Sequence, residues 1–95
     1  MIKLSTVKDI FNNILNNSER LCAIHIFEHR DEYLGQVEII NINTVKRQHE
    51  SLDDFIKNLH LDAYELDSLC DVLKRRYDSF TVEKVNDVVI YTIIL

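Results

Sequence analysis

The segment 88–95, VVIYTIIL, holds seven apolar residues in eight. In a strand, successive side chains alternate sides. Val88, Ile90 and Ile94 therefore face one way and Val89, Tyr91, Ile93 and Leu95 the other. Both faces are apolar. Such a strand is stable at the centre of a sheet or against a second subunit, so the rest of the chain must supply neighbours and cover for it.

The neighbours are legible as two hairpins. A two-residue turn at Asn86-Asp87 joins the apolar segment to residues 80–85 (FTVEKV). Residues 21–27 (LCAIHIF) and 34–43 (LGQVEIININ) read as a second pair of strands joined by the polar loop 29–32. Within 34–43, Val37 and Ile39 point to one face and Ile40 and Ile42 to the other. That phase switch predicts a bulge or burial on both sides.

The cover is helical. Thr6 with Asp9 forms a capping pair ahead of Val7, Ile10, Phe11, Ile14 and Leu15, which recur at i, i+3, i+4, i+7 and i+8. The helix ends in Asn16-Asn17-Ser18. After the polar connection 44–50, Ser51 with Asp54 caps a second helix bearing Leu52, Phe55, Ile56 and Leu59. Asp62 with Glu65 caps a third, with the stripe Leu66, Leu69, Cys70, Leu73 and Tyr77. The predicted order is α-β-β-α-α-β-β: one α+β domain over residues 1–95, with three helices on an antiparallel sheet of about four strands.

Composition sets limits on function. At 95 residues and 46% apolar content the chain fits a single core, burying roughly 60–65% of its unfolded surface. It has one glycine, Gly35, and no proline. Phosphate-cradling loops and nucleophile elbows need several small residues around tight turns, so P-loop, Rossmann and G-x-S-x-G chemistry are excluded. No apolar run approaches the roughly 20 residues of a membrane span, and residues 1–5 lack a secretory pattern. The expected location is the cytoplasm. The two cysteines, Cys22 and Cys70, are expected as buried thiols acting as small hydrophobes.

Few residues suggest chemistry. Cys22, His25 and His29 are spaced like metal ligands, but the odd separation of Cys22 and His25 sends them to opposite faces of a strand. No metal or cofactor is expected, and no acid and base stand out, so an enzyme is not expected either. Lys74-Arg75-Arg76 ends the third helix, where cations favour the dipole.

The charge distribution is more informative. Residues 50–71 contain seven acids (Glu50, Asp53, Asp54, Asp62, Glu65, Asp67, Asp71) and one base, Lys57, for a net −6. The rest, with nine acids and ten bases, carries +1, so the two later helices hold all of the net −5. Such a surface attracts a basic partner and repels nucleic acid. On the third helix, Tyr64, Asp71 and Arg75 fall opposite the predicted apolar stripe, and an outward tyrosine among acids is a natural binding anchor.

Two readings follow. The first is a small acidic protein–protein interaction module, an inhibitor or sequestering protein of immunity or phage counter-defence type. It would bind a basic protein surface through Tyr64, Asp67, Asp71, Arg75, Asp53 and Asp54, with a homodimer formed through the 88–95 strand. The alternative is a winged-helix DNA-binding regulator, since two helices followed by a hairpin is the order of that fold. Its recognition helix, residues 62–76, would then present Asp62, Glu65, Asp67 and Asp71 to phosphates.

Residues 58–73 (NLHLDAYELDSLCDVL) resemble the helix-Tyr-acid-Leu-Asp segment with which barstar-type inhibitors plug a basic ribonuclease site. The likeness covers 16 of 95 residues, lacks the Gly-containing loop before the acidic helix and goes with a different strand order. It is an analogy of physics, and it implies an acidic helix presented to a basic pocket.

Overall fold

The computed structural model describes residues 6–17, 20–47 and 49–95. Residues 1–5, Ser18, Glu19 and Gln48, which include the segment read for a secretory pattern, lie outside the described residues. The elements are α1 (Val7–Leu15), β1 (Leu21–Asp31), β2 (Gly35–Val45), α2 (Leu52–Lys57), α3 (Ala63–Leu73), β3 (Ser79–Val85) and β4 (Val88–Ile94). This is the predicted order.

Each helix begins where its cap places it. Thr6 and Asp9 form a reciprocal capping box on α1, and Asp62 and Glu65 form another on α3. On α2, Ser51 Oγ accepts the Asp54 N–H at 3.2 Å. These bonds satisfy amides that the first helical turn leaves without partners.

The strands form one sheet in the order β2-β1-β4-β3. β1 pairs antiparallel with β2, and β3 antiparallel with β4, but β1 and β4 run parallel from Leu21↔Val88 to Phe27↔Ile94. The sheet is therefore mixed, which corrects the antiparallel sheet expected from the sequence. Each hairpin turn dictates antiparallel pairing only within its own hairpin, and apolar patterning carries no signal for the direction in which two hairpins meet. The direction is decided by the α2–α3 connection, which returns the chain along the sheet before β3 begins.

The register explains the two-faced strand. Ile24 lies between Ile42 and Tyr91, and Ile26 between Ile40 and Ile93. These residues share one face with Cys22 and Val89, and together they form the core with Val7, Ile10, Phe11 and Ile14 of α1, Phe55 of α2, and Leu69, Val72 and Leu73 of α3. Phe11 meets Phe55 edge-on at 6.3 Å, and Phe80 stacks on Tyr91 at 6.2 Å. The other face, bearing Leu21, Ala23, Phe27, Val88, Ile90 and Ile94, contributes nothing to this core cluster.

Both predicted irregularities resolve locally. The β1–β2 register shifts between Ile26 and Phe27, where the partner changes from Ile40 to Glu38 and leaves Ile39 as a bulge. The bulge restores Val37 to the same face as Ile40 and Ile42, so the phase switch in the sequence is the mark of that extra residue. The polar run 29–32, expected as a loop, is instead mostly strand: β1 continues to Asp31, with His29 opposite Gln36. Asp31 Oδ1 then accepts the N–H groups of Tyr33 and Leu34 at 2.9 and 2.7 Å. Gly35 closes the turn at φ +65°, a conformation that costs a Cβ-bearing residue roughly 1 kcal/mol. Polar composition misleads here because this end of the hairpin extends past β4 and packs on nothing that demands apolar side chains.

On α3 the buried positions are Leu69, Val72 and Leu73. Cys70 and Leu66 are exposed, which corrects the predicted stripe and the expectation of a buried Cys70. Val72 takes the inward place because it joins Leu69 and Leu73 at i+3 and i+4, a set that turns Cys70 toward solvent. No helix among the described residues is long and apolar enough to cross a membrane.

Ile24 is fully buried between two other strands, so Ile24→Ala is expected to cost about 2–5 kcal/mol of unfolding free energy. Tyr33→Ala at the exposed hairpin tip should change it by less than about 0.5 kcal/mol. Urea unfolding midpoints at constant slope check both.

Candidate functional site

The acids of the α2–α3 region divide into two groups. Glu50, Asp62 and Glu65 serve the fold. Glu50 accepts the Arg47 N–H at 3.2 Å and Asn58 Nδ2 at 2.6 Å, and Asp62 and Glu65 cap α3. Asp53, Asp54, Asp67 and Asp71 are exposed, and among the described residues their carboxylates enter no hydrogen bond or ion pair. Asp53 and Asp54 favour the positive end of α2, while Asp67 and Asp71 turn their charge outward without such a role.

Tyr64 joins them. It is 81% exposed, and at i, i+3 and i+7 it shares the outward face of α3 with Asp67 and Asp71. The structure thus brings Tyr64, Asp67 and Asp71 onto one helical face, while Asp53 and Asp54 occupy the first turn of α2. Arg75 is placed differently. It lies beyond the end of α3, its guanidinium is 2.9 Å from Glu28 Oε1 on β1, and its carbonyl accepts the Val7 N–H at 3.0 Å. Arg75 is therefore tied to the fold, although its side chain stays partly exposed.

The metal-like string does not converge. Cys22 is buried beneath the helices, whereas His25 lies on the opposite face with Nδ1 2.9 Å from Glu38 Oε1. The His25 ring also stacks on Phe27 at 6.3 Å. Among the described residues no group of three or more His, Cys, Asp or Glu is arranged to hold a metal ion.

The hairpin β3–β4 is not a free wing, because β4 occupies the middle of the sheet beside β1. A winged-helix protein would need that hairpin at its periphery, and it would need α3 to meet phosphates through a turn that bears Glu65 and Asp67.

Two surface features escaped the sequence pattern. Tyr33 and Leu34 at the tip of the β1–β2 hairpin are 97% and 63% exposed, forming an apolar point that period-2 patterning cannot distinguish from a turn. An open cleft of about 790 Å³ is lined by Arg20, Lys46, Arg47, His49 and Glu50, with the end of α1. Lys46 is 6% exposed, and its Nζ donates to the Ile14 carbonyl at 2.9 Å, placing a cation at the negative end of α1. In sequence Lys46 sits in an ordinary polar linker, and only the tertiary fold buries it.

Lys46 also acts on the neighbouring core thiol. Burial pushes the Cys22 thiol above its ordinary value, Lys46 opposes this and Glu50 adds to it. Compared with protein-family models, curated proteins and solved structures, the chain finds no match.

The cysteines should separate cleanly in a thiol assay. Native protein is expected to release one equivalent quickly from Cys70, and the second, from Cys22, only as the protein unfolds. Because burial raises the folded Cys22 thiol above its ordinary value, its contribution to stability is complete below that ordinary value and is lost as the pH rises through the folded one. Equal reaction rates for both thiols would contradict the placement.

Proposed function

We propose that this chain is a small acidic binding protein that docks the outward face of α3, together with the start of α2, on a basic surface of another protein. The observation that carries this reading is the set Asp53, Asp54, Asp67 and Asp71, which present charge without an internal partner, beside the 81% exposed Tyr64. Solvated carboxylates gain little from a fold they do not touch, yet they raise the rate at which an oppositely charged surface is met. An aromatic ring at the same face supplies the buried anchor such an encounter needs to last.

Inhibition or sequestration of the basic partner fits this chemistry, since an acidic helix can occupy a site built for an anionic substrate. Asp67 and Asp71 supply the charge, and Tyr64 the contact area. Arg75, held by Glu28, orients the end of α3 and makes at most a rim contact. DNA binding is the weaker reading, because these carboxylates would face phosphates.

Charge reversal tests the proposal. With the partner captured from source-cell lysate, Asp67→Lys/Asp71→Lys is expected to slow association by about tenfold or more at low salt, with the difference shrinking as salt rises. Tyr64→Ala should mainly speed dissociation. Partner association that is indifferent to both substitutions and to salt, or a shift of duplex DNA by the wild-type protein at low salt, would overturn it.

A further inference from the structure

All three helices lie on one side of the sheet, and the core they build excludes the other side. That second face carries apolar rows on the two central strands, Leu21/Val88, Ala23/Ile90 and Phe27/Ile94, interrupted by one polar row, His25/Thr92. Leu21 is 40% exposed, and Val45 and Val85 extend its row onto both edge strands. Ala23 is buried among its neighbours, and Phe27, Val88, Ile90 and Ile94 are half-buried. Polar and charged neighbours, Asn41, Asn43 and Glu38 on β2 and Ser79, Thr81 and Glu83 on β3, form its rims.

We propose that the occupant of this face is a second copy of the chain, packed sheet on sheet. Three observations select a copy of itself. Three of its four rows are apolar and the fourth pairs His25 with Thr92, and such a patch complements itself across a two-fold axis, as an isologous interface requires. The net −6 of residues 50–71 belongs to the α2–α3 region on the opposite layer, so two copies that each carry −5 meet where their acids are fewest and hold their acidic helices apart.

The third observation is size. Rows from Leu21/Val88 to Phe27/Ile94 span six residue steps. At about 3.3 Å per step and about 4.8 Å per strand, all four strands with their polar rims project roughly 400 Å² per copy, or roughly 800 Å² for the pair, before side-chain relief brings it toward the roughly 1,200 Å² lower edge of a stable interface.

The charges also suit one arrangement. With the two-fold axis along the strands, β1 lies over the partner's β4 and β2 over the partner's β3, near the aligned angle of sheet packing. Glu38, already paired with His25, then meets the partner's Ser79, and Glu83 meets the partner's Asn43, so no acid is set against an acid. The other in-plane axis would stack β2 on β2 and reverse its direction, setting Glu38 over the apolar Val45 of the partner. Each sandwich would present one α2–α3 face on either outer side, so the dimer is independent of the acidic-face reading and leaves that face open.

Light scattering and sedimentation of the full chain test the proposal. Wild type is expected at twice its 11.2 kDa mass at micromolar concentration. Ile90→Lys and, at the more exposed strip position, Leu21→Lys should each weaken the dimer by about a hundredfold or more while keeping cooperative unfolding. Added lysines reduce the net negative charge, so a loss of assembly cannot be assigned to repulsion. Val82→Lys, at an exposed valine on the helical side of β3, and Asp67→Lys/Asp71→Lys should remain dimeric. A monomeric wild type, a dimer that survives both strip substitutions, or dissociation by Val82→Lys overturns the proposal.

Discussion

The parallel pairing of β1 with β4 is the contact on which the rest of the structure depends. It joins two hairpins distant in sequence into one sheet, and it aligns Cys22, Ile24 and Ile26 with Val89, Tyr91 and Ile93 to form the floor on which all three helices rest. Without it, the chain would have two separate two-stranded ribbons, each too small to be stable alone. The α2–α3 crossover is the covalent cost of that pairing, since parallel strands cannot be joined by a tight turn. The acids proposed for binding lie on this crossover. The element that the topology requires is thus also the one free to carry function.

The same pairing separates the molecule's two chemistries. One face of the central strands is sealed by helices, whose outer surfaces hold most of the negative charge. The opposite face is mostly apolar along its middle, apart from the His25/Thr92 row, and polar along its rims. Most of the negative charge and most of the apolar surface therefore lie on opposite layers, so the proposed binding face and the proposed dimer face share no residues.

Much of this was legible in the sequence, for identifiable reasons. Thr6/Asp9, Ser51/Asp54 and Asp62/Glu65 mark helix starts because cap chemistry is local. The bulge at Ile39 was visible as a phase switch because alternation has a strict period of two. The direction of β4 was not legible, since no residue records whether a neighbouring strand runs with or against it. Cys70 was misplaced because a short helix allows two apolar phases, and only the core decides between them. Lys46 and the cleft around it depend on contacts across the fold, so a polar linker gave no sign of a buried cation. At the candidate site, the exposure of Tyr64, Asp67 and Asp71 followed from helical spacing, while the tether of Arg75 to Glu28 on a distant strand did not.

Native-state amide hydrogen exchange tests the central pairing most directly. With β1 and β4 side by side in the middle of the sheet, every amide from Val89 to Ile93 should be protected, together with those of Cys22 to Ile26, and all should exchange only through global unfolding. If β4 instead met only β3, alternate amides of β4 would exchange at the fast rate of an edge strand, and the mixed four-stranded sheet would be wrong.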